Sequence, residues 1–232
     1  FSDKGELLHL KRGIYRLDNI IVKNILGIGI SPFAMNATAC LVAIFVNQRL
    51  LEYGGDLAVG AFGIANRVAF IFIMINFGVN QGMQPIAGYN YGAQNYDRLM
   101  RVLKLAMIAG TCVTTSGFIV AEFMPHLCVR LFTNDKVLTD LAVNGIRIMM
   151  AAMPIVGYQM IVTNFFQSIG KAKISIFLSL SRQLLFLVPL IGVMPLFFGV
   201  NGVWVAMPIS DSFSAIFALV MMVRYMRVFK KR

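Results

Sequence analysis

One carboxylate in this chain sits where water should be scarce. Asp211 lies in "WVAMPISDSFSAIFALV", a run otherwise apolar or small. An ionised carboxylate in mid-membrane costs about 2.5–3.5 kcal/mol on insertion scales, so it must face protein or water rather than lipid. Met207, Ser214, Ala215 and Ala218 share its helical face and are mostly small, whereas Phe213 and Phe217 lie off it. Two chemistries fit. Asp211 can form a structural ion pair with Arg182, a cation at comparable depth, or it can exchange a proton or a sodium ion. Amides form a second set: Asn36, Gln81, Gln84, Gln159 and Asn164 all stand in apolar stretches. Such groups bridge neighbouring helices or line a hydrated cavity. Gln81 and Gln84 are flanked by Gly78, Gly82 and Pro85, and Pro removes a backbone donor there.

The elements that must carry these residues are legible as gaps between charges. Asn24–Gln48, Val68–Tyr96, Leu105–Ala121, Ile148–Gly170 and Gln183–Ser210 contain no Asp, Glu, Lys or Arg. A helix needs roughly 20 mainly apolar residues to cross a hydrocarbon core of about 30 Å. Four intervals hold one helix each, and the fifth continues through "FFGVNGVW" into a second helix, predicting six spans. With 58% hydrophobic and 13% charged residues, against about 25% charged in a soluble domain, the chain reads as an all-α polytopic membrane protein. Residues 1–23 are expected to be a cytoplasmic linker, 24–226 the six-helix lobe, and 227–232 a basic cytoplasmic tail.

The net charge of +11 raises the question of nucleic acid. A nucleic-acid footprint would gather its cations on one patch. Here they follow alternate connections instead: fifteen Lys and Arg fall on one side and three on the other, with Arg67, Arg147 and Arg182 in or beside spans. Cytoplasmic segments carry that excess, which places both ends in the cytoplasm and makes lipid, not nucleic acid, the partner. Cys40, Cys112 and Cys128 stand singly, and His9 and His126 lack ligand spacing. No bound cofactor is expected. P-loop, zincin and nucleophile-elbow motifs and paired carboxylates are absent, so no enzyme is expected either.

"QPIAGYNYGAQNYDR" resembles the inner end of the second helix in the C-terminal half of the multidrug and toxic compound extrusion transporters. The Pro of "GISPF", "GIRIMMAAMPIVGYQ", "FFQSIGKAK" and "SRQLLFLVPLI…FGVNGVWVAMPISD" agree in order and spacing. The resemblance implies two six-helix halves around a central cavity, with this chain as the C-terminal lobe and an N-terminal six-helix lobe missing before Phe1. It also implies antiport of small organic, often cationic compounds against H+ or Na+ in a bacterial-type inner membrane, by alternating access. The cavity polar groups would then be Asn36, Gln81, Gln84, Gln159, Asn164 and Asp211. The chain departs from members that hold the ion with acids on the first and fourth spans, because those intervals contain none. A lipid-linked oligosaccharide flippase of the same superfamily is the alternative, and a membrane-embedded transferase a more distant one.

The charge asymmetry generates a direct test. A cysteine in "GKAK" should react with an impermeant maleimide only from the cytoplasmic face, and one in "EYGGD" only from outside. The reverse pattern would overturn the orientation.

Overall fold

The computed structural model describes residues 18–229. Residues 1–17, most of the expected linker, and 230–232, the end of the basic tail, lie outside the described residues. So do the side chains of several residues between 24 and 34, Pro32 of "GISPF" among them, and of 227–229. Every element among the described residues is helical.

Helix α1 is Asn19–Gly92. It starts at an Asp18 cap whose side chain accepts from the Ile20 amide at 2.8 Å, five residues before the charge-free interval begins. Its 74 residues would run about 110 Å as one rod, far beyond a bilayer. Gly55, at φ 65° and ψ −167°, divides it into two arms, 19–54 and 56–92. That conformation costs glycine little and a side-chain-bearing residue much. Gly54 beside it lets Val200 approach, since a Cβ would sit 2.6 Å from a Val200 methyl.

The other helices are α2 (Tyr96–Phe123), α3 (Pro125–Arg130), α4 (Lys136–Met150), α5 (Met153–Ser168), α6 (Ala172–Leu180), α7 (Val188–Phe198) and α8 (Val200–Phe229). α4 and α5 together make one span bent by 50°. The bend falls at Ala151 and Ala152, just before Pro154, which lacks the N–H a continuous helix would use. α6 and α7 are joined by a π-helical segment, Ser181–Leu187. Gly199, at φ 56°, then turns the chain into α8. Four helices are long and apolar enough to cross a membrane, and the bent pair adds a fifth. Because the first of the four includes Gly55, its division makes six spans among the described residues.

Three buried clusters hold the spans together. Ala61, Ala65, Ala142, Ile146 and Trp204 anchor one. Met83, Leu99, Leu103, Phe165 and Phe166 anchor the second, and Val46, Leu50, Ile191 and Val203 the third. Lipid gives helices no hydrophobic reason to associate, so close packing and small residues must do it. Gly145 makes room for the Trp204 ring, where a Cβ would come within 2.6 Å. Gly157 faces Thr114 and, at 2.7 Å from where its Cβ would be, the Gly110 carbonyl. Among the described residues a Cβ at Gly78 or Gly82 would meet nothing within 4 Å, so neither packs against another span of this chain.

These environments predict opposite signs for one substitution. Gly157→Ala should destabilise by about 2 kcal/mol through overpacking. Gly78→Ala should stabilise by about 0.5–1 kcal/mol through lost backbone freedom. Thermal midpoints in detergent should move in opposite directions, and a fall of equal size for both would contradict this packing.

Candidate functional site

α8 carries a polar strip that two other spans answer. Arg182, in the π-helical segment, donates from Nη1 to Asp211 Oδ1 at 3.0 Å. The Ser210 hydroxyl donates to the Arg182 carbonyl at 2.8 Å, a bond that suits a segment whose backbone pairing is already irregular. The two charged side chains retain 34% and 17% of their exposure. The Phe186 ring packs against Phe213 and Phe217, at centroid distances of 5.7 and 5.4 Å. One turn along α8, Gln159 of α5 donates to the Ser214 hydroxyl. The Gln159 carbonyl in turn accepts from Thr163 at 2.9 Å.

A second strip runs along the 56–92 arm. Asn76 and Asn80 are buried, and Gln84 is half-buried. Asn76 donates to the Met160 sulfur at 3.6 Å, and Asn80 to the Asn76 carbonyl at 3.1 Å. Gln84 donates to Asn164 Oδ1 at 3.3 Å, and Asn164 to the Met160 carbonyl at 2.9 Å. Asn76 packs on Gly110, near the middle of α2, so this strip reaches mid-depth. Among the described residues the side-chain oxygens of Asn76, Asn80 and Gln159 find no donor. Each is a hard oxygen acceptor in a buried position.

The remaining sequence-derived candidates lie elsewhere. Gln81 is exposed, on the face of the arm that also presents Gly78, Gly82, Pro85 and Tyr89. Pro85 has no N–H to give the Gln81 carbonyl, its i−4 partner, so Gln81 offers that face an amide and a carbonyl that lacks its usual helical donor. Asn36 is exposed on the 19–54 arm. Gln81 and Gln84 therefore do not act together, while Gln84 and Asn164 do. Asn76 and Asn80 went unnoticed in the sequence, although their four-residue spacing to Gln84 places all three on one strip. Arg147, in the fourth span, donates to the Glu122 carbonyl at 3.2 Å, with its Nε 3.9 Å from the Glu122 carboxylate. Among the described residues no three His, Cys, Asp or Glu come together as metal ligands.

The comparisons with known proteins decide the family. The family model MatE matches residues 28–191. The chain belongs to the MatE family. The multidrug export protein MepA of Staphylococcus aureus (strain N315) is 24% identical over 219 residues, which is 94% of this chain and 48% of that protein. MepA of Staphylococcus haemolyticus (strain JCSC1435) is 23% identical over the same shares. The solved structure of the MATE multidrug transporter DinF-BH is 35% identical with a TM-score of 0.82, over 96% of this chain and 49% of its own. A crystal structure of MATE in the straight conformation shares the fold at a TM-score of 0.88 and 20% identity, over 100% of this chain and 52% of its own. The chain thus spans about half the length of the relatives it matches. In MatE terms it is a six-helix, multi-pass membrane unit of a transporter family.

The ion pair makes a stability prediction. Arg182→Gln or Asp211→Asn alone strands the partner's charge and should cost about 2–3 kcal/mol, below the usual 3–5 because Arg182 is a third exposed. The double variant should recover part of that loss. Additive thermal shifts would show that the pair does not couple.

Proposed function

We propose that this chain is the C-terminal lobe of a secondary multidrug exporter that exchanges amphipathic, often cationic organic compounds for H+ or Na+. It would work with a second six-helix lobe in a bacterial-type inner membrane, with both ends of this chain in the cytoplasm. The observation that carries the reading is the exposed Gly78–Gln81–Gly82–Pro85–Tyr89 face. A polar, proline-interrupted face is tolerated at membrane depth where it meets protein or lines water, not where it meets acyl chains. Turned toward an opposing lobe, it would supply neutral hydrogen-bonding groups to a substrate whose cation needs no fixed counter-charge here. Similarity to MepA and DinF-BH supports the substrate class. A diphosphate-handling flippase would call for cations on this face, and between Gly78 and Tyr89 it presents none.

Two groups are candidates for coupling. Asp211 is a carboxylate near the middle of its span, and its pairing with Arg182 would have to break and reform for it to carry a proton. The partnerless amide oxygens of Asn76, Asn80 and Gln159 suit a hard cation such as Na+. Alternating access follows if ion and substrate favour different orientations of the two lobes.

Expression of the natural full-length gene in an efflux-deficient cell should raise resistance to lipophilic cations and drive ion-dependent dye efflux. Gln81→Leu should then lower dye efflux by about tenfold, the net worth of one hydrogen bond to substrate, at unchanged protein level. Unchanged resistance on expression would overturn the reading. Unchanged efflux by the Gln81 variant would remove this face from the substrate path.

A further inference from the structure

α2 presents an amphiphilic face of a different kind. Its buried side holds Leu99, Leu103, Ala106, Gly110, Thr114, Gly117 and Ala121. On the opposite side Arg98, Arg101 and Lys104 are exposed, three residues apart, and Leu105, Ile108, Cys112, Ile119 and Phe123 continue the exposed stripe. Ser116 on this side donates to its own helix, to the Val113 carbonyl at 2.7 Å, and so asks nothing of its surroundings. The α2 stripe is therefore suited to acyl chains, unlike the amide-bearing face around Gln81.

The three cations at the head of that stripe are unanswered. None of their side chains has a hydrogen-bond or ion-pair partner among the described residues, and neighbouring Asp97 pairs with none of them. Residues at i and i+3 on a helix stand about 5–6 Å apart, so three charges form a short ladder along one face. Lys171 and Lys173, also exposed, lie at the same end of the bundle, because Leu99 and Leu103 pack against Phe165, Phe166 and Ile169 just before them. An ordinary inner-side loop spreads its charges in water. Here the ladder lies on an exposed helix face and runs straight into an apolar track.

We propose that this face of α2 is a binding site for an anionic phospholipid of the adjacent leaflet, with phosphate on Arg98, Arg101 and Lys104 and acyl chains along Leu105, Ile108 and Cys112. The charge complementarity selects the headgroup, and the uninterrupted stripe selects a lipid over a soluble anion. The site does not depend on what the protein transports.

The test uses the protein encoded by the natural gene, in nanodiscs of phosphatidylcholine with or without cardiolipin. Cardiolipin should raise the thermal midpoint of the wild type, and its half-saturating fraction should rise about fivefold per cation removed in R98Q, R101Q and K104Q. Equal cardiolipin response in the triple variant would overturn the site, as would equal stabilisation by inorganic phosphate alone. A photo-crosslinking residue at Leu105, in a protein with all three cations intact, guards against a triple variant that fails to insert. It should capture cardiolipin in preference to phosphatidylcholine, and capture in simple proportion to lipid abundance would also overturn the proposal.

Discussion

Inside a bilayer a polar group has no water to fall back on, and this constraint organises the whole lobe. Backbone groups are satisfied within helices, which is why every element among the described residues is helical. Side-chain groups must find each other across helices or turn toward something wet. Asp211 meets Arg182, Gln159 meets Ser214, and Gln84 meets Asn164. These contacts lie on four of the six spans, so satisfying the polar groups and assembling the bundle are one process. Glycines at 110, 145 and 157 then let backbones come close enough for the amides and the Trp204 ring to fit.

The irregular points serve the same end. Gly55 turns a single 74-residue helix back on itself, so that Leu50 and Ala58 share one cluster. The bend before Pro154 separates the part of the fourth span held to Glu122 through Arg147 from the part that carries Gln159 and Asn164. The π-helical segment holds Arg182 where its guanidinium reaches Asp211 and its carbonyl reaches Ser210. A surface divided into an amide-bearing face on the 56–92 arm and an apolar face on α2 follows. The first would meet an opposing lobe, and the second lipid.

Much of this was visible in the order of residues. Charge-free intervals mark spans because a fixed charge is costly in hydrocarbon, and that cost depends little on neighbours. Asp211 stood out for the same reason. The family motifs "PIAGYNYGA" and "GVWVAMPISD" lie in α1 and α8, the stretches that supply Gln84 and Asp211. The breaks within spans were hidden because a proline such as Pro154 can open a helix as readily as bend one, and the run from Ser181 to Leu187 contains neither Gly nor Pro. Partnerships between amides were hidden too. Asn76 and Met160 are 84 positions apart, and nothing local in either says which face will be covered. Hydropathy averages over a helix and cannot separate Gln81 from Gln84.

The division of the surface can be measured directly with thiol chemistry. In a full-length protein with Cys40 replaced by alanine, cysteines introduced at Asn36 and Gln81 can be compared with native Cys112 for reaction with a small hydrophilic thiosulfonate. Both Asn36→Cys and Gln81→Cys should react, with protection by substrate at position 81, while Cys112 stays silent in its apolar stripe. A silent position 81 beside a readily modified Cys112 would contradict the arrangement, because water would then lie along α2 and acyl chains along the amide-bearing arm.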